Sequence, residues 1–348
     1  MLRRISNCFV ITVLAISTTA CDRYTELDTQ SIEPIVQSTI EAHISVESNL
    51  QEINDHFPVT IRNYNFARES IEMTFYRAPE RVLAVYQNSV ETLLALGLED
   101  KILAAAGLDH DVKLEFAEAF ANVNLLDVFA PDRETVIMMQ PDFIVSWHSY
   151  FNENNLGEVD YWHVNNINTY IKVNSGAVIE GTLENEFQDI INMGKIFNVI
   201  DRAEAIVDEI RLEIEQTLQA MDELSYRQRV IIMESRNDNI FIYGENSLAG
   251  DMVRALGAEL ITAEGANITA EGLIALNPDI IFTVYFGSGT DIATANLATN
   301  LINDDPRFAS LDAVINNRVY AIPLGEIYCS GIRTIDGIRR LAAGIIAE

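Results

Sequence analysis

The sequence predicts an α/β protein of two doubly wound lobes joined by one long helix. The first observation is a pattern that occurs twice. A glutamate stands seven residues before a Pro-Asp pair that leads into an apolar strand, at Glu134 and again at Glu271. The second observation is the stretch 202–221 between the two copies, whose apolar side chains recur with the period of a helix. Two similar α/β units separated by a helix are the simplest architecture that accounts for both.

The first copy consists of short elements typical of a parallel sheet. Residues 81–85 predict a buried strand, 89–96 a helix that ends at Gly97, 134–140 a second helix and 143–145 the next strand. The second copy has the same order: a helix that closes at Gly257, a helix over 271–277 and a strand over 280–282.

Residues 202–221 predict the connecting helix. Asp201 is placed to cap it, with Glu204 completing a capping box. At 1.5 Å per residue it would span about 30 Å, enough for a rigid connection between two lobes. An ordinary packing helix inside one domain is the alternative. The apolar stripe consists of Ala203, Ile206, Ile210, Ile214 and Leu218.

Five segments follow from this organisation. The 348-residue chain is longer than one hydrophobic core usually serves, and its 49% content of hydrophobic residues is enough for two. The predicted segments are a signal peptide (1–20), an acidic spacer (21–55), an N-terminal α/β lobe (56–183), connecting helices that include the long one (184–225) and a C-terminal α/β lobe (226–348).

The N-terminus has the features of an export signal. Two arginines precede an apolar run over 9–16 and small residues that end at Cys21. The pattern resembles a bacterial lipoprotein signal, in which the cysteine thiol receives lipid and becomes the new N-terminus. Thr18 stands where such signals usually have leucine. We predict lipidation at Cys21 and an extracytoplasmic body held at the membrane by lipid alone, with a plain signal peptide cut near Ala20 as the alternative.

The chain is strongly acidic. Its formal net charge is −29, and removal of residues 1–20, which contain two arginines and no acidic residue, makes it −31. Such a surface repels phosphate backbones and anionic lipid headgroups, so nucleic acid is excluded as a partner. Of three cysteines, Cys8 leaves with the signal and Cys21 is the lipidation candidate. Cys329 is then alone, and no disulfide framework is predicted.

Sequence motifs of catalysis are not found. Residues 244–247 end in a serine but lack the spacing of a nucleophile elbow, and the glycines of 287–289 lack the lysine of a phosphate-binding loop. The five histidines are scattered, which argues against a site for a bare metal ion. We therefore predict neither an enzyme nor a resident cofactor.

The order of these elements resembles a known family, the periplasmic binding proteins of iron-complex, haem and cobalamin ABC importers. The residues that carry the likeness are 81–97, the two Glu-x6-Pro-Asp units, the long helix and the closing segment 318–323. The likeness covers roughly residues 57–348. It implies the class III fold, in which two doubly wound lobes are bridged by a helix and the ligand lies between them. It also implies an ABC permease and its ATPase subunits as partners.

The resemblance gives Glu134 and Glu271 a role in docking. In cobalamin-binding members one glutamate on each lobe enters an arginine pocket of the permease, and these two residues occupy the matching positions. Two carboxylates at equivalent places on two lobes can bind two basic sockets on a pseudo-symmetric partner. The alternative is that each glutamate only interacts favourably with a helix N-terminus.

The candidate ligand site follows from the rule that open α/β sheets bind ligands at the carboxyl ends of their strands. Residues Leu108 to His110 are selected in this way, together with aromatic and polar residues after the other strands. Glu234 stands where cobalamin binders place an aromatic contact, which weakens the cobalamin interpretation. The predicted ligand-binding residues are Tyr86, Gln87, Asn88, His110, Trp147, His148, Tyr150, Glu234, Ser235, Arg236, Tyr285, Phe286, Tyr328 and Arg333.

The chemistry of these residues suggests a metal complex as ligand. Flat aromatic rings stack on planar or apolar ligand faces, and Arg236 and Arg333 suit an anionic group unless they neutralise neighbouring acids. We rank a ferric siderophore first, haem second and a cobamide third, with Tyr328, Tyr86 and His148 as candidate axial ligands to haem iron. The predicted protein is a monomer that delivers this complex to a permease. A surface sensor or adhesion protein is the competing class.

Overall fold

The computed structural model describes residues 56–221, 227–236 and 239–347. The predicted signal peptide, Cys21 and the acidic spacer up to residue 55 lie outside the described residues. Within the ranges that are described, no helix is both long and apolar enough to cross a membrane.

The first half of the described chain contains six strands and four helices. They are β1 (Val59–Tyr64), β2 (Ser70–Phe75), β3 (Val82–Val85), α1 (Gln87–Ala95), β4 (Ile102–Ala106), α2 (Ala117–Phe120), α3 (Arg133–Met139), β5 (Phe143–Trp147), α4 (Val159–Val164) and β6 (Asn168–Lys172).

Two helices follow, and then the second lobe. The elements are α5 (Leu183–Ile196), α6 (Ile200–Met221), β7 (Arg229–Arg236), β8 (Asn239–Ile242), α7 (Leu248–Ala255), β9 (Glu259–Leu260), β10 (Asn267–Ile268), α8 (Ala270–Leu276), β11 (Ile280–Tyr285), α9 (Ile292–Asn303), α10 (Asp312–Ile315), β12 (Val319–Pro323) and α11 (Thr334–Ile346). The strands and helices predicted for the two copies are confirmed.

The N-terminal lobe is built on a parallel sheet with the strand order β4-β3-β5-β6. All four residues of β3 are buried, as expected of a parallel strand covered on both faces. The antiparallel hairpin β1–β2 is tied to this sheet by Asn63. Its side-chain amide donates to the carbonyl of Ile171 at 2.9 Å, and its side-chain oxygen accepts from the amide of Ile171 at 2.7 Å.

The C-terminal lobe has a six-stranded sheet. Its order is β10-β8-β7-β11-β12, and β9 pairs with β7. Strands β7, β11 and β12 are parallel, whereas β8 runs antiparallel to β7. The carboxyl ends of the three parallel strands therefore meet at one edge of the sheet, which is where ligands bind in such folds.

The structure explains why the Pro-Asp pair occurs twice. The carboxylate of Asp142 accepts from the backbone amides of Glu80 and Arg81 at 2.9 and 2.8 Å, which fixes the start of β3 beside β5. In the second lobe Asp279 accepts from the amide of Arg229 at 2.7 Å, at the start of β7. Each aspartate thus fastens a strand to its neighbour at the amino edge of the sheet.

An arginine completes each copy of this arrangement. Arg81 donates to the carbonyls of Gln140 and Met139 at 2.9 and 2.6 Å, at the end of α3. Arg229 donates to the carbonyls of Asn277 and Leu276 at 2.9 and 3.0 Å, at the end of α8. Because both helices end at the amino edge of their sheets, their N-termini point toward the carboxyl edges.

The predicted long helix is confirmed as α6, and it reaches both lobes. Arg202 donates to the carbonyl of Leu96 in the first lobe at 2.6 Å, and Arg339 of the second lobe donates to Glu213 at 2.8 Å. The helix begins at Ile200, so Asp201 lies in its first turn and is not the predicted cap. The amide of Arg202 instead bonds to the carbonyl of Val199.

Helix α5, which precedes α6 and packs against it, also contacts both lobes. The amide of Leu183 donates to Asp251 of the second lobe at 2.9 Å. Three residues further on, Glu186 accepts from Asn174 of the first lobe at 2.7 Å and from the amide of Gly331 of the second at 2.7 Å. The long helix therefore shares the connection with α5.

Candidate functional site

The candidate site is the cleft between the carboxyl edges of the two sheets. A central cavity of about 200 Å³ lies between a cavity of about 1310 Å³ and one of about 780 Å³, and it shares lining residues with each. Sites for small organic ligands usually have roughly 300–1,000 Å³. A ligand as large as a siderophore would therefore occupy the central cavity together with a neighbouring one.

Most of the predicted residues do converge on this cleft. Arg236 lines the cavity of about 780 Å³. The predicted residues that line the central cavity are Tyr86, Gln87, Asn88, His110, Trp147, Phe286, Tyr328 and Arg333.

Tyr86 occupies the end of β3 in an unusual backbone conformation. Its φ of 82° and ψ of 151° lie in a region that residues with a side chain rarely adopt, and such strain is most common at functional sites. The hydroxyl donates to Asp109 at 2.6 Å. Burial, and then the hydrogen bond to Asp109, raise the pKa of Tyr86, so the phenol stays protonated.

Three rings from the two lobes meet in the cleft. The ring of Trp147 lies 3.6 Å from that of Tyr86 by centroids, and 5.5 Å from that of Tyr328 in the opposite lobe. Phe286, after β11, is 63% exposed and lines both the central cavity and the cavity of about 780 Å³. These rings offer a largely apolar, adaptable surface to a ligand.

Several predicted residues lie elsewhere. The imidazole of His148 stacks on Phe66 at 4.9 Å and bonds to the Phe66 carbonyl at 2.8 Å, so it faces the β1–β2 hairpin. Tyr285 is buried, and its hydroxyl donates to the carbonyl of Ser288, which holds the loop after β11.

Tyr150 and Ser235 also do not line the three cavities. Tyr150 packs behind Tyr86 and Phe129, with ring centroids 6.1 and 6.0 Å away, and burial raises its pKa to about 12. Ser235 is exposed on β7, where it pairs with Ile240 of β8. The strand-end rule finds the right edge of a sheet but not the direction of each side chain.

Both cleft arginines neutralise acids, which is the alternative that the sequence left open. Arg236 forms a two-pronged pair with Glu234, at 2.8 and 2.7 Å. Glu234 is itself buried and also accepts from the hydroxyl of Tyr243 at 3.1 Å. Arg333 forms a two-pronged pair with Glu91, with both distances 2.6 Å, and this pair joins the two lobes.

The polar residues Gln87 and Asn88 hold the cleft together. Asn88 accepts from the indole of Trp147 at 2.8 Å and donates across the cleft to the carbonyl of Cys329 at 2.7 Å. Gln87 donates to Glu91 at 2.9 Å and accepts from the amide of Asp109 at 3.2 Å. Their side-chain amides therefore have protein partners.

Sequence reasoning missed some residues of the central cavity and the acidic partner of Arg333. Leu324 and Gly325 follow β12, so the strand-end rule could have selected them. Glu91 lies on the buried side of α1, and nothing in the sequence connects it with an arginine far along the chain.

The candidate haem ligands differ in their surroundings. Tyr328 lines the central cavity. The hydroxyl of Tyr86 donates its hydrogen bond to Asp109, and the imidazole of His148 bonds to the hairpin residue Phe66 and does not line the cavity. Burial raises the pKa of Tyr328 as well, which disfavours the phenolate that would bind ferric iron. Among the described residues, no three His, Cys, Asp or Glu side chains are grouped as a metal site.

Glu134 and Glu271 occupy equivalent positions. Each is the second residue of its helix, after the N-caps Asp132 and Thr269 respectively. Both are exposed, and since the two helices end at the amino edges of the sheets, both glutamates lie toward the cleft side. Hydrogen bonds from its own backbone amide and from Thr269 lower the pKa of Glu271, which keeps that carboxylate ionised.

This fold and this cleft define a class of two-lobed binding protein. Residues 82–324 match the family described as periplasmic binding protein. That match covers most of the sequence, and the chain therefore belongs to the periplasmic binding protein family. The resemblance inferred from the sequence is confirmed.

Relatives and solved structures agree with this assignment. A periplasmic binding protein from Veillonella parvula is 30% identical, with a TM-score of 0.77 over 83% of this chain and 92% of that one. The catecholate-siderophore-binding protein VctP of Vibrio cholerae shares the fold at 17% identity, with a TM-score of 0.62 over 83% of this chain and 100% of that one. In Bacillus subtilis strain 168, the uncharacterized ABC transporter substrate-binding lipoprotein YvrC is 22% identical over 310 residues, 87% of this chain and 90% of the relative.

Proposed function

We propose that this chain is the solute-binding component of an ABC importer and carries a ferric complex in the cleft between its lobes. The observation that carries this proposal is the group of rings, Tyr86, Trp147 and Tyr328, which come from strand ends of both lobes and line one cavity. A ligand that touches all three is held by both lobes at once. The protein performs no chemistry on it and has no resident cofactor.

The names of relatives support the choice of ligand class. The Bacillus subtilis relative is named as an ABC transporter lipoprotein, and proteins of the same fold are named for binding petrobactin and a catecholate siderophore. Since the siderophore binders share less than a fifth of their residues with this chain, they motivate the test without fixing the ligand.

A titration that follows tryptophan fluorescence tests the proposal. The chain has two tryptophans. Trp147 lines the central cavity, whereas Trp162 is fully buried and donates to the carbonyl of Leu156 at 2.9 Å. Ferric complexes should quench the fluorescence saturably. Trp147→Ala should remove the signal and weaken binding about 3- to 10-fold, measured by calorimetry, because an aromatic contact contributes about 0.5–1.5 kcal/mol.

A matched variant controls for the reporter. Trp162→Phe removes the buried tryptophan, and it should leave ligand quenching in place provided that circular dichroism shows a folded protein. If haemin, cyanocobalamin and a panel of ferric siderophores all fail to bind the folded wild-type chain, the proposed ligand class is wrong.

We further propose that Glu134 and Glu271 dock the loaded protein on its permease. The double variant Glu134→Ala/Glu271→Ala should bind ligand as tightly as the wild type but lose uptake in reconstituted vesicles, because both basic sockets of the permease lose their partners. The exposed residues Glu184 and Glu215 provide a control double variant with the same change of charge. Normal uptake by the docking variant would exclude the docking role of the two glutamates. The sensor or adhesion class would be favoured if, in addition, no importer partner bound the wild-type chain.

The location belongs to the same proposal. We propose an extracytoplasmic monomer tethered by lipid on Cys21, as the export signal and the name of the Bacillus subtilis relative suggest. Mass spectrometry of the N-terminus extracted from membranes tests this, and an unmodified Cys21 in the mature chain would exclude the tether.

A further inference from the structure

We propose that the cleft selects neutral or cationic ferric complexes, of the hydroxamate type, against anionic ones such as catecholates and haem. This inference rests on the proposed function and specifies its ligand. It is carried by the charges along the cleft, where the described arginine and lysine side chains are already paired with acids and three carboxylates have no basic partner.

The arginine and lysine side chains that line the three cavities all have acidic partners. Arg333 pairs with Glu91, and Arg236 pairs with Glu234. The other cations line the cavity of about 1310 Å³. Their ion pairs are Lys113 with Asp336 and Glu115, Arg339 with Glu209 and Glu213, and Arg340 with Glu326.

The buried pair of Arg333 with Glu91 is not available to an anionic ligand. The side chains of Arg333 and Glu91 are 7% and 0% exposed. Two parallel hydrogen bonds join the guanidinium of Arg333 to the carboxylate of Glu91. An anion that recruited Arg333 would leave the carboxylate of Glu91 buried without its partner, which is far more costly than the new contact is favourable. The side chain of Arg236 is 48% exposed, and its two-pronged pair with Glu234 already neutralises its charge.

The carboxylates that have no basic partner give the cleft a negative charge. Asp109 lines the central cavity, Asp111 the cavity of about 1310 Å³ and Glu245 that of about 780 Å³, and none of them forms an ion pair within the described residues. Asp109 accepts a hydrogen bond from the hydroxyl of Tyr86 at 2.6 Å, so its partner in the cavity is a neutral group. The chain as a whole has a formal net charge of −29, which adds to the local field.

The rings of the cleft favour the same sign. The face of an aromatic ring is negative, so it attracts a cation and repels an anion. Tyr86, Trp147 and Tyr328 thus act in the same direction as Asp109. Hydroxamates surround ferric iron with ligands whose charge the metal cancels, and a pendant amine makes the complex cationic. Catecholates leave an excess of negative charge, and haem carries two propionates.

Three ferric complexes of different charge test the inference on the purified mature chain. The probes are cationic ferrioxamine B, neutral ferrichrome and anionic ferric enterobactin, and calorimetry at low and high salt gives their affinities. The affinity for ferrioxamine B or ferrichrome should exceed that for ferric enterobactin by about tenfold or more, because like charges across an interface are strongly unfavourable. Salt should weaken the binding of ferrioxamine B and spare that of ferrichrome.

Asp109→Asn isolates the local charge. It should lower the affinity for ferrioxamine B about two- to fivefold relative to the affinity for ferrichrome, as expected for a partly exposed charge pair. The control Glu215→Gln makes the same change of net charge on an exposed surface of α6, and it should leave this ratio unchanged.

The outcomes distinguish a failure of the charge selectivity from a failure of the proposed ferric function. Preferential binding of ferric enterobactin, or a ratio that Asp109→Asn does not change, would overturn the charge selectivity and leave the ferric function standing. Binding of none of the three complexes would overturn the selectivity, and the proposed function would fall with it if haemin, cyanocobalamin and the wider siderophore panel also failed to bind.

Discussion

Glu91→Ala is expected to lower the free energy of unfolding by about 3–5 kcal/mol, because it leaves a buried arginine without its partner. In the folded chain Glu91 accepts two hydrogen bonds from Arg333, one from the side chain of Gln87 at 2.9 Å and one from the amide of Lys113 at 3.0 Å. Alanine removes all four acceptor contacts at once. Urea unfolding followed by circular dichroism measures the loss.

Two further variants show whether the loss of stability comes from the unpaired charge of Arg333. The pair replacement Glu91→Leu with Arg333→Met should recover most of the stability, because apolar residues of similar size need no partner in a buried site. Glu99→Ala removes an exposed carboxylate from the same lobe and should change the unfolding free energy by less than about 0.5 kcal/mol. If Glu91→Ala unfolds at the same urea concentration as Glu99→Ala, the pair is not a main source of stability.

The same pair bears on how the lobes are held. Glu91 belongs to α1 of the first lobe, and Arg333 precedes α11 of the second. Asn88, one turn earlier on α1, donates to Cys329 across the same boundary. The cleft is therefore closed at its base by buried polar contacts, and its ligand-facing side is left to aromatic rings. This division explains why Arg333, which was predicted to bind an anion, instead holds the lobes together.

Much of the fold could be predicted because its signals are local. A run of apolar residues after Pro-Asp defines β5 and β11, and a glycine after an amphipathic stretch ends α1. The repeated Glu-x6-Pro-Asp unit reflects a physical arrangement, since Asp142 and Asp279 each fasten a neighbouring strand. The prediction of two lobes thus rested on residues that build the sheets.

The misplaced site residues depended on contacts between distant segments. His148 follows a strand as predicted. Its imidazole, however, forms a hydrogen bond with the carbonyl of the hairpin residue Phe66, 82 positions earlier in the sequence. The partner of Arg333 is 242 positions away, so its pairing could not be predicted from the sequence. Arg236 is different. Glu234, two residues earlier, lies on the same face of the strand, and this spacing does indicate a pair.

A fully buried carboxylate on α5 should make the stability of the protein depend on pH. Burial raises the pKa of Glu186 to about 7, while the nearby Lys172 opposes this and Asp189 adds to it. In the unfolded chain a glutamate has a pKa of about 4.3. The folded state therefore binds a proton more tightly than the unfolded state does, and the protonated carboxyl stabilises the fold.

The sign of the effect follows from this difference. Below about pH 4 the carboxyl is protonated in both states, and its contribution is fully present. As the pH rises toward about 7, the unfolded state loses its proton first, so the unfolding free energy falls. The loss attributable to Glu186 should reach about 3 kcal/mol, because each pKa unit corresponds to about 1.4 kcal/mol.

Glu186→Gln isolates this contribution, since the amide has nearly the same shape and does not titrate. Between about pH 4.5 and 7 the wild type should lose about 3 kcal/mol more unfolding free energy than the variant, measured by urea unfolding at a series of pH values. Glu184→Gln, at an exposed position of the same helix, should follow the wild type. Parallel curves for Glu186→Gln and the wild type would mean that Lys172 keeps the buried carboxylate ionised in the folded chain. In that case the contact of Glu186 with Gly331 across the lobes is a permanent charge-assisted bond and does not respond to pH.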